Sequence, residues 1–332
     1  MKLIVDAMGG DYAPGEIIKG SINSARDLDV HIVLVGQQDV IEKELIRNGY
    51  SGGNISIVHA SEVIGATEQP VSAIKTKKDS SMVIGLQMLR KGQGHAFISA
   101  GNTGALMAGA LLRVGRIKGI DRPALAPTIP TKKGRLLLLD AGANTDCRPN
   151  NLVQFGIMGS IFMDKVLGVS NPKVGLVNIG VEENKGNELV KKAHVELSKA
   201  DINFAGNIEA RDIPDGVVDV VVCDGFVGNI ILKLIEGVAI TLFDMLKSEL
   251  YSSLKTKIGA LLCKSAFKNL KRMMDYSEYG GALLLGINGL VVKAHGSSNA
   301  VAIQNAIKLA HSCVKNEILD LIKQEVIKLG VE

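Results

Sequence analysis

The feature that most constrains this chain is a recurring alternation of short apolar runs with amphipathic stretches. The runs "KLIVDA", "HIVLVG", "ISIVHA", "HAFISA", "RLLLLDAGA", "KVGLVNIG", "VVDVVVCDG" and "INGLVVKAHG" are rich in Val, Ile and Leu. Several are apolar at consecutive positions rather than at every second one, the pattern of strands covered by helices on both faces. Between them lie segments such as "PGEIIKGSINSARDL" and "QDVIEKELIRNG", with apolar residues at helical spacing; the second closes on a glycine, a common helix stop. This alternation predicts a mainly parallel α/β sheet in one body spanning 1–332. A chain of 332 residues is long enough to bury the core such a sheet needs.

Beyond about residue 230 the strand signals stop, and "NIILKLIEGVAITLFDMLKSELYSSLKTKIGALLCKSAFKNLKRMMDYSEYGG" reads as helix after helix. We read 240–278 as an amphipathic helical insert protruding from the α/β body. The last strand and a closing helix from Ser297 or Ser298 to Leu329 follow it. The stretch 245–275 sets Lys247, Lys255, Lys257, Lys264, Lys268, Lys271 and Arg272 against Glu249 and Asp275, interleaved with Ile258, Leu261, Leu262, Phe267, Leu270, Met273 and Met274. One reading is a helix pair packed on the body or on a second copy, with its lysines in water. The other is a basic amphipathic surface lying on anionic lipid, touching it through Lys257, Ile258, Leu261, Leu262, Lys264, Phe267 and Lys268. The same charge suits an acidic protein partner.

Composition narrows the function classes. Aromatic residues make up only 4% of the chain, with no Trp, which argues against stacking bases or sugars on aromatic platforms. A net charge of +4 is mild, and no nucleic-acid partner is expected. The cysteines Cys147, Cys223, Cys263 and Cys313 have neither metal-site spacing nor a disulfide framework, so a reducing cytoplasm is the expected setting. The N-terminus enters a strand with no signal-peptide pattern. No uninterrupted apolar run reaches the roughly 18 residues of a membrane span, so any membrane contact is expected to be peripheral.

In open parallel sheets, ligands bind beyond the carboxyl ends of the strands. Here those ends carry "DAMGGD" with Asp6 and Asp11, "GNTG" (Gly101, Asn102, Thr103, Gly104), "AGANTD" with Asn144, "VEENKGNE" with Lys185, "DGFVGN" with Asp224 and Asn229, and "HGSSNA" with His295, Ser297, Ser298 and Asn299. Together they look like one site assembled from many loops. Residues 101–104 and 297–299 each precede a helix, whose free N–H groups and positive dipole end suit an anion. Plain helix capping explains either one alone. Lys185, between glutamates and flanked by Gly180 and Gly186, can neutralise a phosphate or an oxyanion, or simply sit in water. Asn229 can donate to an oxyanion, and Asp224 can orient Lys185 or His295; turn and cap chemistry is the alternative for both. No dinucleotide fingerprint, P-loop, nucleophile elbow or metal-ligand cluster occurs. If the chain transfers acyl groups, the nucleophile therefore arrives with the substrate.

The stretches "VDAMGGD", "SAGNTGALMAGA", "LLLLDAGAN", "NIGVEENKGNE", "VVVCDGFVGN" and "YSEYGGALLLGINGLVVKAHGSSNA" together resemble the bacterial phosphate acyltransferases of phospholipid synthesis, nearly end to end. The resemblance implies a three-layer, Rossmann-like α/β/α sandwich akin to the phosphotransacetylases and the isocitrate dehydrogenase group. It implies transfer of a long-chain fatty acyl group from acyl carrier protein to inorganic phosphate, without a cofactor, metal or covalent enzyme intermediate. It also implies a homodimer whose acyl phosphate passes to a membrane glycerol-3-phosphate acyltransferase. On that reading Lys185, Asn229 and His295 act on the oxyanion and the departing thiolate, with Asp224 orienting the cation. Helix starts at 102–104 and 297–299 cradle phosphate, and Asp6 and Asp11 fix neighbouring cations or the pantetheine arm. Competing readings are a short-acyl phosphotransacetylase using coenzyme A, a peripheral membrane scaffold with a degenerate site, and a nicotinamide dehydrogenase.

Overall fold

The computed structural model describes residues 1–274 and 280–328, with backbone alone for 269 and 271–274. Every predicted apolar run is a strand: β1 (Lys2–Asp6), β2 (His31–Gly36), β3 (Ile55–His59), β4 (Ala96–Ser99), β6 (Gly134–Leu139), β7 (Lys173–Asn178), β9 (Val220–Val222) and β11 (Leu290–Lys293). Three strands that the pattern does not announce complete the set: β5 (Ala124–Thr131), β8 (Asn203–Glu209) and β10 (Ala282–Leu285). All join one 11-stranded sheet in the order β3-β2-β1-β4-β11-β10-β5-β6-β9-β7-β8.

The unannounced strands have physical reasons for escaping notice. β5 holds Pro127 and Pro130, and proline normally argues against a central strand. It is tolerated because Ala124–Pro127 pair with β10 while Thr128–Thr131 pair with β6, so each half of the strand has one ladder neighbour. β8 carries Gly206 at φ 89°, beside a register shift at Val174/Gly175 of β7. β10 is the short run ALLL, which has no β-branched residue and follows directly on the leucine-rich stretch read as helical, so nothing in it separates strand from helix.

These strands also set the polarity of the sheet. β1, β2, β3, β4 and β11 are mutually parallel. β10 opposes both β11 and β5, and β5 opposes β6. Consequently β6, β7, β8 and β9, parallel among themselves, point opposite to the β1 half.

Side-chain alternation builds three layers. Leu3 and Val5 of β1, with Leu137 and Leu139 of β6, face a core shared with α1 (Gly15–Asp27), α2 (Gln38–Arg47), α6 (Pro149–Lys165), α7 (Glu188–Leu197), α11 (Ala300–Lys315) and α12 (Ile318–Lys328). Ile4 faces the other way, toward α3 (Pro70–Thr76), α4 (Ser81–Arg90) and α5 (Thr103–Gly109). Leu136 and Leu138 likewise pack beneath α8 (Gly225–Leu250). The closing helix is not continuous as predicted: it breaks between α11 and α12, where Glu317 takes φ 50°. Leu329, its predicted end, lies outside the described residues.

The helical region also needs correction. It does not start as an insert at 240 but continues α8, a 26-residue helix whose first turns bury Gly225, Gly228 and Ile231 against the sheet. An 18-residue window of α8 has mean hydropathy 1.8 with only 11% of it buried, long and apolar enough to cross a membrane by length and composition. No uninterrupted run announces it, because Lys233 and Glu236 break the apolar sequence. α9 (Leu254–Leu262) and α10 (Lys264–Met274) follow. The predicted end of the insert, 275–278 with Asp275, lies outside the described residues, as do the side chains of Lys271, Arg272, Met273 and Met274.

Candidate active site

The reversal of polarity divides the predicted site residues between two edges of the sheet. The exits of β1, β4 and β11 share one edge and surround a cavity of about 480 Å³. Its walls include Gly10 and Asp11 after β1, Gly101–Gly104 after β4, Lys293, His295 and Gly296 from the end of β11, and the segment Val63–Ala66. The exits of β6, β7 and β9 lie at the opposite edge, and with them Asn144, Lys185, Asp224 and Asn229. Within one chain the six loops therefore do not form the single site expected from the sequence.

At the first edge, "DAMGGD" has a clear structural logic. Asp6 is buried, and its carboxylate accepts from Ser99 Oγ at 2.7 Å and from the Met8 amide at 3.2 Å. Burial pushes its carboxyl above the usual range, against the pull of those hydrogen bonds. A Cβ at residue 9 would stand 2.5 Å from Asp6 Oδ2 and 2.8 Å from the Gly101 amide, so only glycine lets the β1 and β4 loops close together. The Asp11 amide donates to Gly296 O at 2.8 Å, tying the β1 exit to that of β11.

Asn102 works in two directions. Its Oδ1 accepts from the Ala105 amide at 3.0 Å, capping α5, while Nδ2 donates to Ala66 O at 2.8 Å and anchors the opposite wall. Lys293, which none of the expected site motifs singles out, is 8% exposed. Its ammonium donates to Ala294 O and lies 3.5 Å from Ala100 O. Burial brings its pKa down to about 8, with Asp6 and Asp11 pulling the other way. His295 bonds through Nδ1 to Ser297 Oγ at 2.8 Å. Partial burial, with the Lys293 charge, holds its imidazole below the usual value against Asp11.

The start of the last helix departs from expectation. α11 begins at Ala300, with Asn299 Oδ1 capping the Ala302 amide at 3.0 Å. The Ala300 amide donates to Glu16 Oε2 at 2.6 Å, so a carboxylate of the protein already occupies the position expected for phosphate. Ser298 is buried, and its amide donates to His295 O at 3.1 Å. Ser297, Ser298 and Asn299 thus shape the β11 loop and cap its helix.

At the second edge the organiser is Asp140, fully buried at the end of β6. Its oxygens accept from the amides of Leu125, Gly142, Ala143 and Asn144 and from Asn144 Nδ2. Asn144 also donates to Pro123 O at 2.7 Å, so its amide group is committed to this knot. Asp224 caps α8 by accepting from the Val227 amide at 2.9 Å, which is the capping alternative rather than the orientation of His295, a residue of the other edge. Asn229 packs over Gly142, where a Cβ would lie 3.5 Å from its side chain. Lys185 is exposed, and its loop is held by Asn178 Nδ2 donating to Lys185 O at 3.0 Å. A second cavity of about 570 Å³ lies beside the Asp140 knot, lined by Arg116, Arg122 and Arg148, none of which stands in a motif singled out from the sequence.

The approach of α8 to this knot is close enough to test. A Cβ on residue 228 would fall 1.9 Å from Asp140 O, a backbone atom that cannot rotate away. Gly228→Ala is expected to lift the start of α8 and cost about 3 kcal/mol or more, read as a lowered urea midpoint. An unchanged midpoint would show that the helix start has slack.

Among the described residues no group of three or more His, Cys, Asp or Glu side chains is placed to hold a metal ion. In fold, the chain is similar to a phosphotransacetylase from Streptococcus pyogenes, with a TM-score of 0.66 at 15% identity, covering 95% of this chain and 94% of that one. A branched-chain phosphotransacylase from Enterococcus faecalis V583 aligns with a TM-score of 0.58 at 14% identity, covering 95% of this chain and 99% of that one. In sequence, it is 53% identical over 330 residues to a phosphate acyltransferase of Alkaliphilus oremlandii, covering 99% of this chain and 98% of the relative. A phosphate acyltransferase of Thermoanaerobacter pseudethanolicus is 55% identical over 333 residues, covering 100% and 99%. The family model described as fatty acid synthesis protein matches residues 1–321. With fold, length and sequence in agreement, the chain belongs to the phosphate acyltransferase family, enzymes that move acyl groups onto phosphate.

Proposed function

We propose that the chain transfers a long-chain acyl group from acyl carrier protein to inorganic phosphate in the cytoplasm, giving an acyl phosphate for phospholipid synthesis. The observation that carries this reading is the cavity at the exits of β1, β4 and β11, which joins a cation to a small-residue loop leading into α5. Orthophosphate sits there and attacks the thioester carbonyl. An O–C bond forms, the C–S bond breaks, and the proton of the hydrogen phosphate ends on the released thiol. No covalent enzyme intermediate is involved. Holding both reactants at near-attack distance can lower the barrier by about 7–11 kcal/mol. The four cysteines are free thiols, in keeping with a reducing compartment.

The working unit we propose is a homodimer. Ile230, Leu234, Val238 and Leu242 recur every four residues along α8, and all are largely exposed. Covering this stripe with a second copy removes it from water. It also supplies what one chain lacks: Lys185 and Asn229 of one copy meet the phosphate cavity of the other, so oxyanion donors and phosphate share one space. The exposed apolar and basic tip formed by α9 and α10 is then free to rest on an anionic membrane, where a membrane glycerol-3-phosphate acyltransferase takes the product.

The test is phosphate-dependent release of free carrier protein from a long-chain acyl carrier protein, run beside acyl coenzyme A thioesters. Release that rises with phosphate and favours the long-chain carrier substrate supports the reading. Release without phosphate dependence overturns it. Equal use of a short coenzyme A thioester would instead favour a soluble phosphotransacetylase, to which the fold is similar.

A further inference from the structure

We infer that Lys293 is the cation that holds orthophosphate at the floor of the cavity between the β1, β4 and β11 exits. This rests on the reading of that cavity as the phosphate site, and it assigns the ligand to a residue outside the loops usually read for function.

Charge is the first reason. Among the described residues, the acidic groups closest to the cavity are Asp6 beneath it and Asp11 in its wall. Gly101–Gly104 carry no charge, and behind the Val63–Ala66 wall Lys77 and Glu68 pair with each other at 2.7 Å, so their charges offset. His295, at the mouth, is held toward its neutral form. Without Lys293 the cavity would offer an anion mainly carboxylates and would repel it. With Lys293 the balance changes, because an ammonium buried to 8% exposure acts through little intervening water.

Donor geometry agrees. An ammonium has three N–H donors. Ala294 O and Ala100 O account for two of them, leaving one for a ligand in the cavity that the side chain lines. Asp6 then acts as a positioning residue. It is anchored by Ser99 and the Met8 amide, and it stabilises the ammonium through space. Of the two roles expected of Asp6 and Asp11 from the sequence, fixing a neighbouring cation or the pantetheine arm, this is the first, with Lys293 as the cation.

Protonation gives the assignment a signature. An ammonium with a pKa of about 8 is lost as pH rises through that value, so phosphate affinity should decline above about pH 8. A surface lysine near 10.5 would leave that range untouched.

The experiment compares wild type with Lys293→Met, which keeps the length of the side chain and removes its charge. Losing a charge-assisted hydrogen bond should raise the KM for phosphate about 10- to 150-fold. The KM for the acyl substrate should stay within about twofold, and the decline in kcat/KM for phosphate above about pH 8 should disappear. An unchanged phosphate KM, or a decline that persists in the variant, overturns the assignment. Should the variant fail to fold, wild-type enzyme answers the same question. Amine-selective labelling at pH 8, read by peptide mass, should mark Lys293, and millimolar inorganic phosphate should protect it. Labelling of Lys293 indifferent to phosphate overturns the assignment. A wild type without any phosphate dependence removes the cavity reading itself, whereas a dependent wild type with an unaffected variant removes only the lysine.

Discussion

Lys185→Ala is expected to lower acyl transfer about 100- to 1000-fold, as loss of an oxyanion donor does, while leaving the thermal midpoint unchanged. The stability half follows from exposure: the side chain lies in water, and surface substitutions away from special contacts stay within about 0.5 kcal/mol. The activity half follows from the proposed dimer. Lys185 and His295 leave their strands at opposite edges of the sheet, so in one chain they serve no common substrate. In a symmetric dimer, each can complete the other's half-site. His295→Ala should therefore be equally inactive alone. Co-refolding the two variants should restore about a quarter of wild-type activity, because half of the dimers are mixed and each carries one intact site. Inactive singles with no recovery on mixing would place both residues in a site within one chain. Near-normal turnover by Lys185→Ala would remove that lysine from the mechanism.

The three-layer architecture was legible because both faces of most strands are covered, and continuous Val/Ile/Leu runs announce that arrangement locally. The direction of the second half was not legible. It depends on β5 and β10, one written with prolines and the other as a short leucine run without β-branched residues. Missing them conceals three antiparallel steps, β11 to β10, β10 to β5 and β5 to β6, and an odd number of reversals moves the later loops to the other edge. The site was legible in the same uneven way. Gly101–Gly104, Asp6 and Asp11 announce themselves as polar or small residues clustered at strand ends, and they do surround or underlie one cavity. Lys293 hides inside "LVVKAHG", where one charged residue ending an apolar strand looks like an ordinary boundary. The same pattern overstated Ser297, Ser298 and Asn299. Nothing local reveals that Glu16, nearly three hundred positions earlier, already meets the first amide of their helix.

Replacing Leu261 and Leu262 with glutamate is expected to release the protein from anionic vesicles. Leu254, Ile258, Leu261 and Leu262 lie at helical spacing on α9 and are 80, 62, 70 and 80% exposed. The nearby Lys255, Lys257, Lys264 and Lys268 are exposed as well. An apolar face bordered by lysines matches a bilayer interface, where tails take up the leucines and anionic headgroups the charge. Each buried leucine contributes about 1.5–3 kcal/mol. Two glutamates remove that contribution and add repulsion, so vesicle partitioning should fall about 100-fold or more. Added salt should weaken wild-type binding as well, because the lysine contribution is screened. A membrane-crossing α8 would behave differently: it would resist both salt and the double substitution. The packing of Gly225, Gly228 and Ile231 against the sheet favours the peripheral mode, since the first turns of α8 are committed to the core. Unchanged flotation of a folded double variant would reassign the α9 leucines to protein contacts and leave the membrane reading without its main support.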